Sequence, residues 1–237
     1  MNENIDGEQL LNGSVRTFVL RSGRLTDAQR RALETRAEQY LIPYSDELTS
    51  FDRYFDAPAP LVMEIGFGMG QATWQIARDR PQYNYLGVEV HSPGVGKLIL
   101  ELDAHHISNV RIIQHDAIQV LRTMVPESSL AGLHIFYPDP WPKKRHHKRR
   151  LMQSAIVLLM SQKLIHGGYL YFVTDIEEYA HATLEVLEAC PLLKNRFEGF
   201  APHQAWRPET KFERHARESD RGAFELWFER TMLNPSV

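Results

Sequence analysis

Leu61-Val62-Met63-Glu64-Ile65-Gly66-Phe67-Gly68-Met69-Gly70 decides the fold. Its first five residues, apolar except for Glu64, read as a buried strand. The alternate glycines that follow let the backbone turn tightly and come close to a ligand. The periodic residues from Ala72 to Ala77 then read as a helix, whose first turn offers unpaired N–H groups. Strand, glycine turn and helix form the opening unit of an α/β sheet, and the flanking sequence repeats the alternation.

Downstream, Tyr85-Leu86-Gly87-Val88-Glu89-Val90 is a second short apolar strand ending in an acid, and Ser92-Pro93 predicts an N-cap followed by a first-position proline. Val110 to Asp116 is a third strand, Leu133 to Phe136 a fourth and Tyr169 to Val173 a fifth, with a helix predicted over Leu151 to Leu164 between the last two. Strands alternating with helices of this length imply a mostly parallel sheet with right-handed crossovers, and such sheets bind ligands at the carboxyl ends of their strands. Glu64 to Gly70, Glu89, Asp116, Asp139 and Asp175 all fall at those ends. Each has a plainer reading. Glu64 suits a buried acid paired with a backbone donor, Glu89 a ribose ligand in a dehydrogenase, and Asp116 a turn-former before a helix at Ala117. Their coincidence on one rim is harder to explain piecemeal.

A glycine turn plus an acid ending the second strand is shared by dinucleotide enzymes and S-adenosylmethionine enzymes, since both hold an adenosine ribose by its hydroxyls. Counted from Gly66, the dinucleotide fingerprint would put its third glycine at position 71, where this chain has Gln71. Asp116 is placed to accept from an adenine amino group. An acidic rim also suits a sulfonium and an ammonium, whereas it would repel a pyrophosphate.

Beside that rim runs Phe136-Tyr137-Pro138-Asp139-Pro140-Trp141-Pro142-Lys143-Lys144-Arg145-His146-His147-Lys148-Arg149-Arg150. Proline fixes its own φ and pushes its predecessor out of the helical region, so Tyr137 and Asp139 are predicted to be extended, with the carboxylate aimed at a flat target. Tyr137 and Trp141 offer stacking faces, and the basic run offers phosphate contacts. The plain alternative is a stiff surface loop next to a solvated charged face.

Composition bounds the rest. The 237 residues, 43% hydrophobic and 24% charged, allow one sizeable domain or a domain plus an arm. A net charge of -3 excludes a protein that coats nucleic acid over its whole surface, so any polyanion site must be a local patch. The single cysteine, Cys190, excludes an internal disulfide and a cysteine-based zinc cluster, which fits a reducing cytosol. With no leader-like start and no run long enough to span a bilayer, a cytoplasmic location is expected and no membrane partner. His105, His106, His146 and His147 lack a matching ligand set, so no metal is expected. Residues 1–50 are read as a tail, an arm bearing Arg16, Arg21 and Arg24, and a helix capped by Thr26 and carrying Arg30, Arg31 and Arg36; residues 51–237 are read as the main domain.

The glycine turn, the Pro-Asp-Pro-Trp-Pro loop with its basic run, and Pro208-Glu209-Thr210-Lys211-Phe212-Glu213 together resemble the bacterial tRNA (guanine-N7-)-methyltransferases. The likeness runs from the arm near Arg16 to the last strand near Arg230. It implies a Rossmann-like class I methyltransferase fold: a seven-stranded, mostly parallel sheet with an antiparallel last strand, here Ala223 to Glu229, and helices on both faces. It also implies transfer of a methyl group from S-adenosylmethionine to a guanine N7 in the variable loop of tRNA. By the same likeness Glu64, Gly66, Gly68, Gly70, Glu89, Asp116 and Asp139 match cofactor positions, and Asp139 is also the catalytic one. Lys143, Asp175, Thr210, Lys211, Phe212 and Glu213 match substrate positions, and Arg145, His146, His147, Lys148, Arg149 and Arg150 match the segment that contacts RNA. Arg207, Lys211 and Arg214 are read as adding to the RNA side. Trp206 and Phe212 line the base pocket or belong to the core. Asp175 has a competing reading, because Thr174-x-x-Glu177 resembles a capping box. A non-catalytic RNA-binding module and a small-molecule methyltransferase are the alternatives; the expected partner is tRNA, with the protein acting as a monomer and a dimer left open.

Overall fold

The computed structural model describes residues 7–11, 15–19, 23–209 and 222–232. Seven strands form one sheet: β1 (Leu61–Ile65), β2 (Asn84–Val88), β3 (Val110–Ile113), β4 (Leu130–Phe136), β5 (Leu164–Thr174), β6 (Leu193–Asn195) and β7 (Phe224–Arg230). Their spatial order is β3-β2-β1-β4-β5-β7-β6. The first five neighbours pair in parallel, with Glu64 opposite both Gly87 and His134, and Phe136 opposite Val173. β7 runs antiparallel between β5 and β6, so the predicted antiparallel last strand is found inside the sheet and not at its edge.

Among the described residues, seven α-helices accompany the sheet: α1 (Gly7–Leu11), α2 (Asp27–Tyr40), α3 (Gln71–Asp79), α4 (Ser92–Ala104), α5 (Ala117–Thr123), α6 (Ser154–Lys163) and α7 (Glu177–Glu188). Two apolar clusters fill the two faces. One gathers Met63, Leu133, Ile135, Phe172 and Leu226 with residues of α5, α6 and α7; the other gathers Val62, Tyr85 and Val110 with residues of α2, α3 and α4. Strands buried on both faces explain the near-continuous apolar runs by which they were legible.

α2 begins as expected. Thr26 accepts from the Gln29 amide while the Gln29 side chain accepts from the Thr26 amide, a reciprocal cap. The helix is not a loose appendage, since Gln29 Nε2 donates to the Pro93 carbonyl at 3.0 Å and Tyr40 is buried. Its chain then runs beside β3, where the Ile42 amide donates to the Ile112 carbonyl at 2.8 Å.

Three local expectations need correction. α4 is capped by His91, so Ser92 and Pro93 sit one position further into the helix, and Ser92 Oγ accepts from Gln114. α6 starts at Ser154 and not at Leu151, because Leu151 and Met152 turn inward as core residues. Thr174 does not cap α7: its hydroxyl accepts from the Ile176 amide, and the helix begins only at Glu177.

Candidate active site

Five adjacent parallel strands end on one rim in the order β3, β2, β1, β4, β5, which places Asp116, Glu89, the glycine turn, Asp139 and Asp175 side by side. At about 4.8 Å per strand the row spans roughly 19 Å, room for a nucleoside-sized cofactor and a base.

The glycine turn sits at the centre. Gly66, Gly68 and Gly70 have φ of 73°, 58° and 72°, the left-handed region that side chains resist. Phe67 points down between them and covers Gly87, where a β-carbon would come within 2.8 Å of its ring. Glu89 clamps the turn from the neighbouring strand: one oxygen accepts from the Gly68 amide at 2.9 Å, the other from the amides of Val90 and His91 at 2.7 and 3.0 Å. Beneath it Glu64 is 3% exposed. Burial, reinforced by the charge of Glu89 and opposed by the nearby Thr73 hydroxyl, pushes the Glu64 carboxyl up to about 7. Thr73 Oγ1 makes no hydrogen bond of full geometry.

Asp116 is the N-cap of α5, one carboxylate oxygen accepting from the Ile118 amide at 2.9 Å, as its plain reading has it. Burial raises its pKa, while that bond and the charges of His115 and Arg16 pull the other way. Arg16 therefore lies within electrostatic reach of the rim.

On the other side, the proline loop departs from expectation. Tyr137, expected to be extended, has a φ of 51° and is left-handed; Trp141, also followed by proline, is left-handed with a φ of 45°, whereas Asp139 is not. For bulky residues such angles are strained and must be held by their surroundings. The Tyr137 amide donates to the Val173 carbonyl at 2.8 Å. Trp141 Nε1 donates to the Thr17 carbonyl at 3.2 Å, and the Arg149 guanidinium lies 3.8 Å over the indole while donating to the carbonyls of Arg16 and Phe18. The arm thus runs across this loop.

The basic run divides by exposure. Lys143, Lys144, Arg145 and Lys148 are exposed, while His146, His147 and Arg149 are half-buried. Desolvation and the surrounding cations, Arg145 first, hold the His146 imidazole below its usual range. Arg150 does not belong with the solvent-facing cations: it is 4% exposed and bonded to Pro140 and Glu178. Arg207 is buried likewise. It is 1% exposed, with Nε donating to the Tyr171 hydroxyl at 2.9 Å and Nη2 to Glu225 at 2.6 Å. Trp206 is half-buried against the core and stacks on His134 at 5.2 Å beneath the Arg80 guanidinium. His134 itself is pushed down to about 3, by burial first and then by Arg80 and Arg207, and it is a neutral core residue bonded to Tyr169. Thr210, Lys211, Phe212, Glu213, Arg214 and Arg21 lie outside the described residues.

The sequence reading passed over Gly94. A β-carbon there would meet the Gly68 carbonyl at 2.0 Å, so α4 packs under the turn only because that position is bare. Glycines at 94 and 96 in the interior of a helix, where each costs roughly 1 kcal/mol against alanine, were the available signal.

No described helix is long and apolar enough to cross a membrane. Residues 58–226 match the family model described as "Putative methyltransferase". A tRNA (guanine-N(7)-)-methyltransferase of Methylobacillus flagellatus is 46% identical over 230 residues, covering 97% of each chain. Another, of Nitrosospira multiformis, is 50% identical over 199 residues, covering 84% of this chain and 87% of the relative. Among solved structures, the aminoglycoside resistance methyltransferase NpmB1 matches with a TM-score of 0.52 at 16% identity, covering 92% of this chain and 98% of the other, and so shares the fold.

Proposed function

Because the chain belongs to the tRNA (guanine-N7-)-methyltransferase family, we propose that it transfers a methyl group from S-adenosylmethionine to N7 of a guanine in the variable loop of tRNA. The observation that carries this reading is the common rim, where the glycine turn and Glu89 adjoin the Asp139 loop and its exposed cations.

The residues present suit the cofactor. Nothing stands within 4 Å of a β-carbon built at Gly66 or Gly68, so open space lies above the turn. When bound, S-adenosylmethionine supplies a methyl carried on a sulfonium. Glu64, whose ionised form is disfavoured by burial, is offset by a cationic group beside it. The free lone pairs of Glu89 and Asp116 are assigned to the ribose hydroxyls and the adenine amino group.

Guanine N7 has an available lone pair and carries no proton at neutral pH, so attack on the methyl asks for no general base and no metal. What the chain must provide is alignment and tolerance of positive charge passing to the purine. Asp139 and Asp175, leaving adjacent strands, are assigned to the N1–H and N2–H₂ edge of the guanine. Lys143, Lys144, Arg145 and Lys148 hold phosphates and set the position of the RNA without reading its sequence. A tRNA-modifying activity fits a cytoplasmic protein, and a single chain acting on one tRNA is the simplest working unit, a dimer being left open. Incubation with S-adenosylmethionine and unmodified tRNA, followed by nucleoside mass spectrometry, is expected to yield 7-methylguanosine; a methyl on any other atom, or none, overturns the reading.

A further inference from the structure

We propose that Arg150 is a positioning residue that braces the Asp139 loop against the start of α7, and not an RNA contact. The proposal rests on the methyl-transfer reading above and deepens it. Arg150 ends the short 3-10 turn of the basic run, Lys144–Arg149, and its side chain turns inward. Nε donates to the Pro140 carbonyl at 2.9 Å. Nη1 and Nη2 grip the two oxygens of Glu178 at 3.0 and 2.5 Å, and Nη2 also meets His147 Nε2 at 3.1 Å. The guanidinium lies 4.7 Å over the Tyr179 ring, and the charge of Asp139 acts on that same tyrosine.

The two anchors have meaning for the site. Pro140 directly follows Asp139, and Glu178 is the second residue of α7, the helix that follows Asp175. One planar fork therefore ties together the two segments that carry the candidate carboxylates. The strained φ of Trp141, next to Pro140, requires such outside support. A lysine cannot substitute, because a single ammonium lacks the fork that reaches a carbonyl and both oxygens of a carboxylate at once. Glu178 is exposed at its outer side, with 61% of the side chain accessible, so it can be removed without opening the core.

The test compares wild type with Glu178→Ala, Arg150→Gln and Arg150→Lys, folding being checked by thermal melts. The brace predicts that kcat falls on the order of 10- to 100-fold in both Arg150 variants and less in Glu178→Ala, since misplacing reacting groups by about 1 Å costs that much. It also predicts that tRNA affinity and the slope of log K against log salt stay at the wild-type value in all three. An RNA contact predicts the reverse: a slope shallower by about 0.7 to 0.9, near-normal kcat, and recovery of binding by lysine. That outcome, or unchanged kcat in every variant, overturns the proposal. Hydrogen exchange of the peptide spanning residues 137–143, measured without substrate, gives a readout independent of activity. Faster exchange in Glu178→Ala supports the brace and wild-type exchange overturns it, even if wild type were to methylate nothing, a result that would sink the functional reading alone.

Discussion

The carbonyl oxygen of Gly68 lies 2.0 Å from the point where a β-carbon on Gly94 would stand. The obstacle is backbone, so no rotamer change relieves it. Gly94→Ala must push α4 off the turn or distort the turn itself, at a cost of about 1 to 3 kcal/mol. We expect a lower melting temperature and at least a tenfold weaker S-adenosylhomocysteine affinity by calorimetry. Wild-type values for both would show that the turn is not held from below.

Glu64 gives the protein without cofactor a pH signature. Its carboxyl is raised to about 7 in the fold, above its unfolded value, so its contribution to stability is complete below about pH 4.5 and is lost as pH rises through 7. Between pH 5 and 8 wild type should lose about 2 to 3 kcal/mol relative to Glu64→Gln. Urea denaturation of both proteins across that range measures it, and parallel curves would refute it.

Asp139→Ala removes a carboxylate assigned to the guanine while leaving Lys143, Lys144, Arg145 and Lys148 in place. A fall in kcat on the order of 100-fold or more is expected, with tRNA affinity within about twofold of wild type. Single-turnover methyl transfer and filter binding separate the two effects. Near-normal transfer would remove Asp139 from the chemistry.

Tyr171, Arg207 and Glu225 form a buried cluster in which the Tyr171 hydroxyl and the Arg207 fork both meet Glu225. Glu225→Ala removes a buried carboxylate that both groups engage, a loss of about 3 to 5 kcal/mol. Chemical denaturation reads this directly, and a loss below 1 kcal/mol would mean that the cluster relaxes or takes up water.

Trp141 and Arg149 hold the arm through the carbonyls of Arg16, Thr17 and Phe18. Trp141→Ala should speed trypsin cleavage after Arg16 several-fold in the absence of RNA. An unchanged cleavage rate would show that the grip is carried elsewhere.

Much of the fold was legible because β1 to β4 are apolar runs of ordinary length set off by glycine, proline or acids. β6 was not, since Leu193-Lys194-Asn195 is too short to show a period and owes its place to pairing with β7. The start of β5 was hidden as well: Leu164 to Gly168 follows α6 without a break, and its two glycines weaken the strand pattern. At the site, the glycines and rim acids were legible by position in the chain. The inward turn of Arg150 and Arg207 was not, because a run of cations reads as solvated and their carboxylate partners stand 28 and 18 residues away. Nor could proline rules foresee a left-handed Tyr137 or Trp141, since those angles are imposed by tertiary contacts.

The short bridge from Leu41 and Ile42 to β3 has a bearing on handling the protein. β3 is the outermost strand on its side of the sheet, and three of its four residues are apolar and buried. The stretch leaving α2 lies along it and occupies the Ile112 carbonyl that would otherwise be open to a foreign chain. Trimming the first 42 residues to obtain a minimal catalytic fragment would therefore bare a sticky border, and the product should precipitate or form fibrils, whatever the state of its cleft.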